Sequence, residues 1–346
     1  MSINEAIKKV IDREALTTAE AEAVLEQIMT GACSEAQIAA LLTALRMKGE
    51  TIEELTGFAR VMRRKATAVR PQLSGTDDAG NNLLLDTCGT GGDVSGTFNI
   101  STAAAFVVAG CGLRVAKHGN RSVSSHSGSA DVMEALGVKI ELAPAQITRA
   151  IEEIGIGFLH APLLHEAMKY VAPVRKQLGI RTIFNMLGPL TNPAGANVQV
   201  IGVYAPQLTE MFAHTLKSLG TRRAFIVHGS DGLDEITITG ASRISEVNEG
   251  EVTTYKIAPE DFGLNRASLE KIKGGDAKQN ARMILNVLNG ETGACRDIVL
   301  LNAAAALVAG NRAANLREGI SCAAAAIDSG AALAKLESLI EFTNRL

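Results

Sequence analysis

Three stretches of this sequence carry residue types that bind anions and divalent cations. The first is Asp86-Thr87-Cys88-Gly89-Thr90-Gly91-Gly92-Asp93, followed by Ser95-Gly96-Thr97 and by Asn99-Ile100-Ser101-Thr102. An apolar run, Leu83 to Leu85, enters it, and a small-residue helical pattern from Ala103 to Ala109 leaves it. Glycine lets the backbone turn through positive φ and lets a bulky anion reach main-chain N–H groups. A helix start adds unpaired N–H groups and the positive end of a dipole. Strand, glycine loop and helix N-terminus together therefore make a phosphate site. The spacing GTGGD is not the dinucleotide fingerprint GxGxxG. It is not a Walker loop either, because no Gly-Lys-Ser/Thr follows. A glycine turn of this kind can also bind nothing, so its neighbours matter.

The second stretch is Lys117-His118-Gly119-Asn120-Arg121-Ser122-Val123-Ser124-Ser125, with Ser129 just beyond at the start of a helical pattern. Its cations, amide and hydroxyls are an anion-binding composition, with Lys117 as a point charge. The third is Asp234-Glu235, after His228-Gly229-Ser230-Asp231-Gly232-Leu233. Adjacent carboxylates across from a phosphate loop suit Mg²⁺, which is held by a few carboxylates plus substrate oxygens. The same pair could serve as general acid and base. A fourth candidate, Arg175, could clamp a carboxylate, but composition does not separate it from Lys176 or Arg181. The histidines show no metal-ligand spacing, and no arrangement for nucleophilic catalysis stands out. His126, His160, His165 and His214 read as packing or surface residues, while His228 stays open because it shares a loop with Asp234.

The elements that must position these residues alternate. Candidate strands are Leu83–Asp86, Leu113–Lys117, Ile156–Leu159, Val198–Val203 and Ala224–Val227, with helical patterns between them. This predicts an α/β fold with a mainly parallel central sheet flanked by helices. In such a sheet the strand C-termini open on one crevice, so the loops after residues 86, 117 and 227 share a side. Residues 1 to about 70 read as a smaller all-helical domain. It is punctuated by the capping boxes Thr17/Glu20, Ser34/Gln37 and Thr51/Glu54, with Gly31 and Gly49 at helix ends. The basic run Arg63-Arg64-Lys65 reads as a solvated helix end. Residues 71–82 form a polar linker, and the α/β catalytic domain is expected over 71–346. A helical insertion at roughly 163–188 is expected to rejoin the N-terminal bundle in space. Residues 234–257 read as β-rich and 276–346 as helical, with Asp276 as an N-cap.

Composition narrows the function. The formal net charge is −3, which calls for neither nucleic acid nor a membrane surface. The five cysteines are scattered singly, without a zinc or disulfide pattern, and fit a reducing cytoplasm. The N-terminal stretch lacks the apolar core of a signal peptide, and no apolar run reaches membrane-spanning length.

Read together, several motifs closely resemble the anthranilate phosphoribosyltransferase family. They are Asp86 to Asp93, Asn99 to Thr102, Lys117 to Ser125, Arg181-Thr182-Ile183-Phe184-Asn185, Gly188 to Pro193, and Gly232 to Glu235. The resemblance runs over essentially the whole chain. It implies a nucleoside phosphorylase/phosphoribosyltransferase-like fold and a homodimer built through the helical domain. It also implies dependence on two Mg²⁺ ions and transfer of the phosphoribosyl group of 5-phosphoribosyl 1-pyrophosphate (PRPP) to anthranilate, a step of tryptophan biosynthesis. By matching position, Gly89, Gly92, Asp93, Thr97, Asn99, Ile100, Ser101 and Thr102 would contact PRPP. So would Lys117, His118, Gly119, Asn120, Arg121, Ser122, Val123, Ser124, Ser125 and Ser129. Gly89, His118, Asn120 and Arg175 would bind anthranilate, and Ser101, Asp234 and Glu235 would hold metal. Two rival readings are a pyrimidine nucleoside phosphorylase of the same architecture and a non-catalytic nucleic-acid-binding relative.

Overall fold

The computed structural model describes residues 1–73, 82–93, 95–122 and 127–346. Most of the expected linker and the site candidates Val123, Ser124 and Ser125 lie outside the described residues. The chain opens on four helices: α1 (Ile3–Ile11), α2 (Thr18–Met29), α3 (Glu35–Lys48) and α4 (Ile52–Lys65). The three expected capping boxes close, and Ser2 with Glu5 adds a fourth. Gly49 ends α3 at φ +90°, a conformation that costs glycine little.

From Leu85 onward strands and helices alternate. The first half contains β1 (Leu85–Gly89), α5 (Ile100–Gly110), β2 (Val115–Gly119), α6 (Ser129–Ala135), α7 (Pro144–Glu153) and β3 (Ile156–His160). Three short helices follow: α8 (Ala161–Leu164), α9 (Ala172–Leu178) and α10 (Phe184–Leu187). The second half contains β4 (Val198–Gly202), α11 (Leu208–Ser218), β5 (Arg223–Gly229), β6 (Ser242–Asn248) and β7 (Glu251–Ile257). It closes with α12 (Ala277–Leu288), α13 (Ala294–Ala309), α14 (Leu316–Asp328) and α15 (Ala331–Asn344), and Asp276 caps α12. No single helix among the described residues is long and apolar enough to cross a membrane.

The strands form one sheet in the order β3-β2-β1-β4-β5-β6-β7, the first five parallel, with β6 antiparallel to β5 and β7 antiparallel to β6. β1 and β2 run further towards their C-termini than the apolar pattern suggests. Pairing holds Gly89 against Gly202 and Gly119 against His160, so hydrogen bonding rather than side-chain type sets these ends. The chain winds outward from β1 in one direction through β2 and β3, and in the other through β4 and β5. The switch point therefore lies between β1 and β4, where such sheets open a crevice at the strand C-termini.

One face of the sheet packs against α5, α13 and α15, in a buried cluster that includes Leu85, Phe106, Val198 and Leu301, and α14 packs on those helices. α14 approaches α13 closely, because a Cβ on Gly319 would lie 2.9 Å from the Ala304 Cβ. A second cluster joins the N-terminal helices, α9, α10 and α11 to Ile201 and Ala224 of the opposite face. Val174 and Phe184 lie in that cluster with Leu41 and Phe58, and the Phe58 and Phe184 rings are 6.3 Å apart. The basic end of α4 is not simply solvated. Arg63 donates to the carbonyls of Leu190 (2.7 Å) and Leu219 (3.5 Å), and burial lowers its pKa to about 10. Arg64 and Lys65 pair with Glu22 and Glu26. The carbonyls of Leu190 and Leu219 draw Arg63 inward, which composition alone could not reveal, while Arg64 and Lys65 stay at the surface in ion pairs with α2.

Candidate active site

The crevice is built around one carboxylate. β1 and β4 end in glycines because Asp234 lies across both. A Cβ on Gly89 would sit 2.4 Å from Asp234 Oδ2, and one on Gly202 would sit 1.5 Å from the Asp234 carbonyl oxygen. Gly91 and Gly92 turn through φ +66° and +76°, and the Gly91 N–H donates to Asp234 Oδ2 at 2.9 Å. Buried Leu233 and Ile236 anchor the loop that carries the carboxylates. Asn302 accepts the Ile236 N–H (2.9 Å), and Asp231 accepts from the hydroxyls of Thr237 and Thr239 at 2.6 Å each.

Glu235 is aimed at the N-terminus of α5, where its Oε1 accepts the Ser101 N–H at 3.1 Å. The neighbouring amides of that turn are also engaged. The Ile100 N–H goes to the Phe98 carbonyl, and those of Thr102 and Ala103 go to Asn99. The helix start thus does not offer the free N–H groups expected of it, because a carboxylate of the same chain already occupies the dipole. Desolvation raises the pKa of both acids, Asp234 to about 7 and Glu235 well above the usual carboxylate range. Asp93 adds to this for both acids and Asp234 for Glu235, while the Gly91 N–H offsets it for Asp234 and Lys117 for Glu235.

Lys117 is buried, with Nζ 2.6 Å from the Thr87 carbonyl and 3.4 Å from Ser101 Oγ. Burial lowers its pKa, and Asp86 opposes that. Asp86 in turn accepts from the His118 N–H (3.1 Å) and from Asn192 Nδ2 (2.8 Å), which fixes β2 against β1. Cys88 is no activated thiol, since burial pushes its pKa well up.

Several expected contacts are occupied elsewhere. Arg121 pairs with Asp131 (3.0 Å) and Glu134 of α6 instead of facing the glycine loop. The Ser122 N–H donates to Asp131 at 3.1 Å. Asn120 accepts the Ala130 N–H and, at 3.5 Å, the Ser129 hydroxyl. A Cβ on Gly119 would meet Ser129 Oγ at 2.2 Å. The Asp93 carboxylate accepts from Ser95 Oγ, Thr97 bridges to Lys273, and Asn99 accepts from Asn280 at 3.0 Å. Ile100 and Thr102 are buried, so their side chains face the core.

In the inserted helices, Arg175 of α9 is half-buried over the Phe184 ring at 5.8 Å. It pairs with no carboxylate among the described residues, and burial lowers its pKa. The buried rings of His118 and His165 lie 5.2 Å apart, each with Nε2 unpartnered. Burial depresses their pKa values to about 3 and about 4, so both are neutral. Arg181, three residues beyond the end of α9, does reach the loop, where it donates to the Gly92 carbonyl.

Residues 4–66 match the model of the glycosyl transferase family, helical bundle domain, and residues 81–333 match that of the glycosyl transferase family, a/b domain. The anthranilate phosphoribosyltransferase of Pelotomaculum thermopropionicum is 56% identical over 344 residues, covering 99% of this chain and 97% of that protein. The crystal structure of the Thermus thermophilus anthranilate phosphoribosyltransferase superposes with a TM-score of 0.90 at 44% identity, over 98% of this chain and 99% of that one. The Saccharomyces cerevisiae anthranilate phosphoribosyltransferase in complex with PRPP and Mg gives 0.88 at 30% identity, over 99% and 98%. That yeast protein has also been solved with 4-fluoroanthranilate. The chain belongs to the anthranilate phosphoribosyltransferase family. Neither rival reading, phosphorylase or nucleic-acid binder, is favoured by these likenesses.

Within this family frame, two features escape the sequence. Gly202 is an ordinary strand residue until Asp234 is seen beside it. His165 reads as packing until its ring is found against His118. Among the described residues no three His, Cys, Asp or Glu side chains cluster to hold a metal by themselves. The donors present are two adjacent carboxylates and the Ser101 hydroxyl, all hard oxygens, and neither acid forms an ion pair among the described residues. Such a set fits Mg²⁺ completed by substrate oxygens and water.

Proposed function

We propose that this chain transfers the 5-phosphoribosyl group from PRPP to the amine of anthranilate, giving N-(5-phosphoribosyl)anthranilate and pyrophosphate, a step in tryptophan biosynthesis. The observation that carries it is Asp234-Glu235 locked against both the glycine loop and the start of α5, at the switch point of the sheet. Two Mg²⁺ ions, held by Ser101, Asp234 and Glu235, would neutralise the charge that builds on departing pyrophosphate. Lys117 adds a fixed cation next to Ser101, and the Gly89 to Asp93 turn presents backbone close to the diphosphate. The remaining proposed PRPP contacts are Thr97, Asn99 to Thr102, His118 to Ser125 and Ser129, which would bind the sugar and phosphates.

Anthranilate would enter from the side of α9. Arg175 suits its carboxylate, and the neutral faces of His118 and His165 suit its ring. The amine is uncharged at neutral pH and already nucleophilic, so no strong base is needed. Its lone pair forms the new C–N bond as the C1–O bond to pyrophosphate breaks. The proton then leaves the nitrogen for water or pyrophosphate. The residues chiefly position two substrates and exclude water.

The test is a decrease in anthranilate fluorescence on adding PRPP and Mg²⁺, with substituted benzoates as controls. No PRPP-dependent decrease would defeat the reading. We also propose a homodimer through the helical domain, supported by Ile11 and Met47, which are 64% and 74% exposed at the ends of α1 and α3. Light scattering at the monomer mass would count against it. A reducing cytoplasmic setting is supported by the five free thiols.

A further inference from the structure

We propose that Arg181 is a positioning residue for PRPP, tying the acceptor-side helices to the glycine loop. Arg181 lies in the short connection between α9 and α10. Gly179 turns that connection at φ +63°, and the Thr182 N–H, which donates to Asn185 Oδ1 at 3.0 Å, fixes its far end. Its guanidinium is half-buried and pairs with no carboxylate among the described residues. It has two partners instead: it donates to the Gly92 carbonyl, and it lies 4.4 Å from the centroid of the Tyr204 ring.

Those two partners are themselves connected. The Tyr204 N–H donates to Thr90 Oγ1 at 3.1 Å, and the Thr90 N–H donates to the Gly202 carbonyl at 2.9 Å. Thr90, Gly92, Arg181 and Tyr204 therefore close a circuit around the turn. Gly92 itself sits at φ +76°, and a Cβ there would come within 3.1 Å of the Arg181 guanidinium.

The consequence follows from the peptide plane. In a trans peptide the carbonyl and the next N–H point in opposite directions. Holding the Gly92 oxygen therefore aims the Asp93 N–H away from Arg181. A glycine pair turning at positive φ has many alternatives, and the guanidinium removes them before the diphosphate arrives.

This inference rests on the proposed reaction, and its test separates the two. Initial rates are measured against each substrate in turn at saturating Mg²⁺, with the thermal midpoint recorded alongside. Arg181→Ala should raise KM for PRPP about tenfold, the worth of one charge-assisted hydrogen bond, while KM for anthranilate stays put. Arg181→Lys keeps a donor and should recover part of the loss. Tyr204→Phe keeps the platform and should match the parent, whereas Tyr204→Leu should move in the direction of Arg181→Ala. If Arg181→Ala does not fold, Arg181→Lys and Tyr204→Leu carry the same KM split. Equal rises in both KM values, an unchanged KM for PRPP, or no recovery with lysine would overturn the proposal. Inactivity of the parent enzyme would instead overturn the reaction itself.

Discussion

On the sheet side of the crevice most charged groups have a fixed partner. Asp86 holds His118 and Asn192, Asp234 holds Gly91, Glu235 holds Ser101, and Lys117 holds Thr87. On the side of the inserted helices, Arg175 faces no carboxylate among the described residues, and the buried His165 ring, which meets His118 of β2, leaves Nε2 unpaired. A highly charged, flexible donor calls for a site assembled in advance, because stray loop freedom weakens every electrostatic contact. A small flat acid needs one cation and a dry surface. The difference supports the proposed reading, with the donor held mainly on the sheet side and the acceptor carboxylate met from the inserted helices, and it can be broken from either side.

The largest effect should come from Asp234→Asn with Glu235→Gln. Removing both charges while keeping size should lower kcat about a thousandfold, in line with the loss of charge stabilisation at a leaving group. Turnover should then no longer respond to a Mg²⁺ titration, and a normal magnesium response would refute the metal assignment. Next comes Gly202→Ala. Its Cβ would overlap the Asp234 carbonyl, so β4 and the carboxylate loop must part. Strain of that kind should cost about 3 kcal/mol of stability, read as a lowered denaturation midpoint. An unshifted midpoint would show that Asp234 is held less tightly than drawn. On the acceptor side, Arg175→Ala should raise KM for anthranilate about tenfold or more through loss of a charged clamp, with little change for PRPP. Equal changes for both substrates would dissolve the division between the two sides.

Much of this division could be read from residues alone, and the unread parts share a cause. The five parallel strands and the capping boxes follow from local pattern, which works over a few residues. The glycine loop and Asp234-Glu235 suggested an anion and a cation site by composition, and the structure brings the two together. What local pattern could not give was contact between distant segments. Glu235 fills the α5 dipole from 134 residues away, and Arg181 reaches Gly92 across 89. Arg63 turns inward only because the carbonyls of Leu190 and Leu219 are there. Arg121, a proposed PRPP contact, also pairs with Asp131 and Glu134, which its own loop sequence did not show. In each case a charged side chain chose among partners that only the fold brings near.

The smallest expected effect concerns the imidazole pair and is read through pH. An unfolded histidine gains its proton near 6.5, whereas folded His118 and His165 resist it down to about 3 and about 4 because burial disfavours the charge. Between those limits the unfolded chain binds more protons than the folded one. Stability therefore rises with pH through this window and falls on acidification below 6.5. One unit below 6.5, each such imidazole removes about 1.4 kcal/mol. His165→Asn deletes one of the two titrations, so the stability lost between pH 8 and pH 5.5 should shrink by about that amount. The slope isolates the imidazole from whatever packing the substitution disturbs. Parallel curves for parent and variant would mean that His165 is protonated in the folded protein, and the acceptor surface would then be cationic instead of dry.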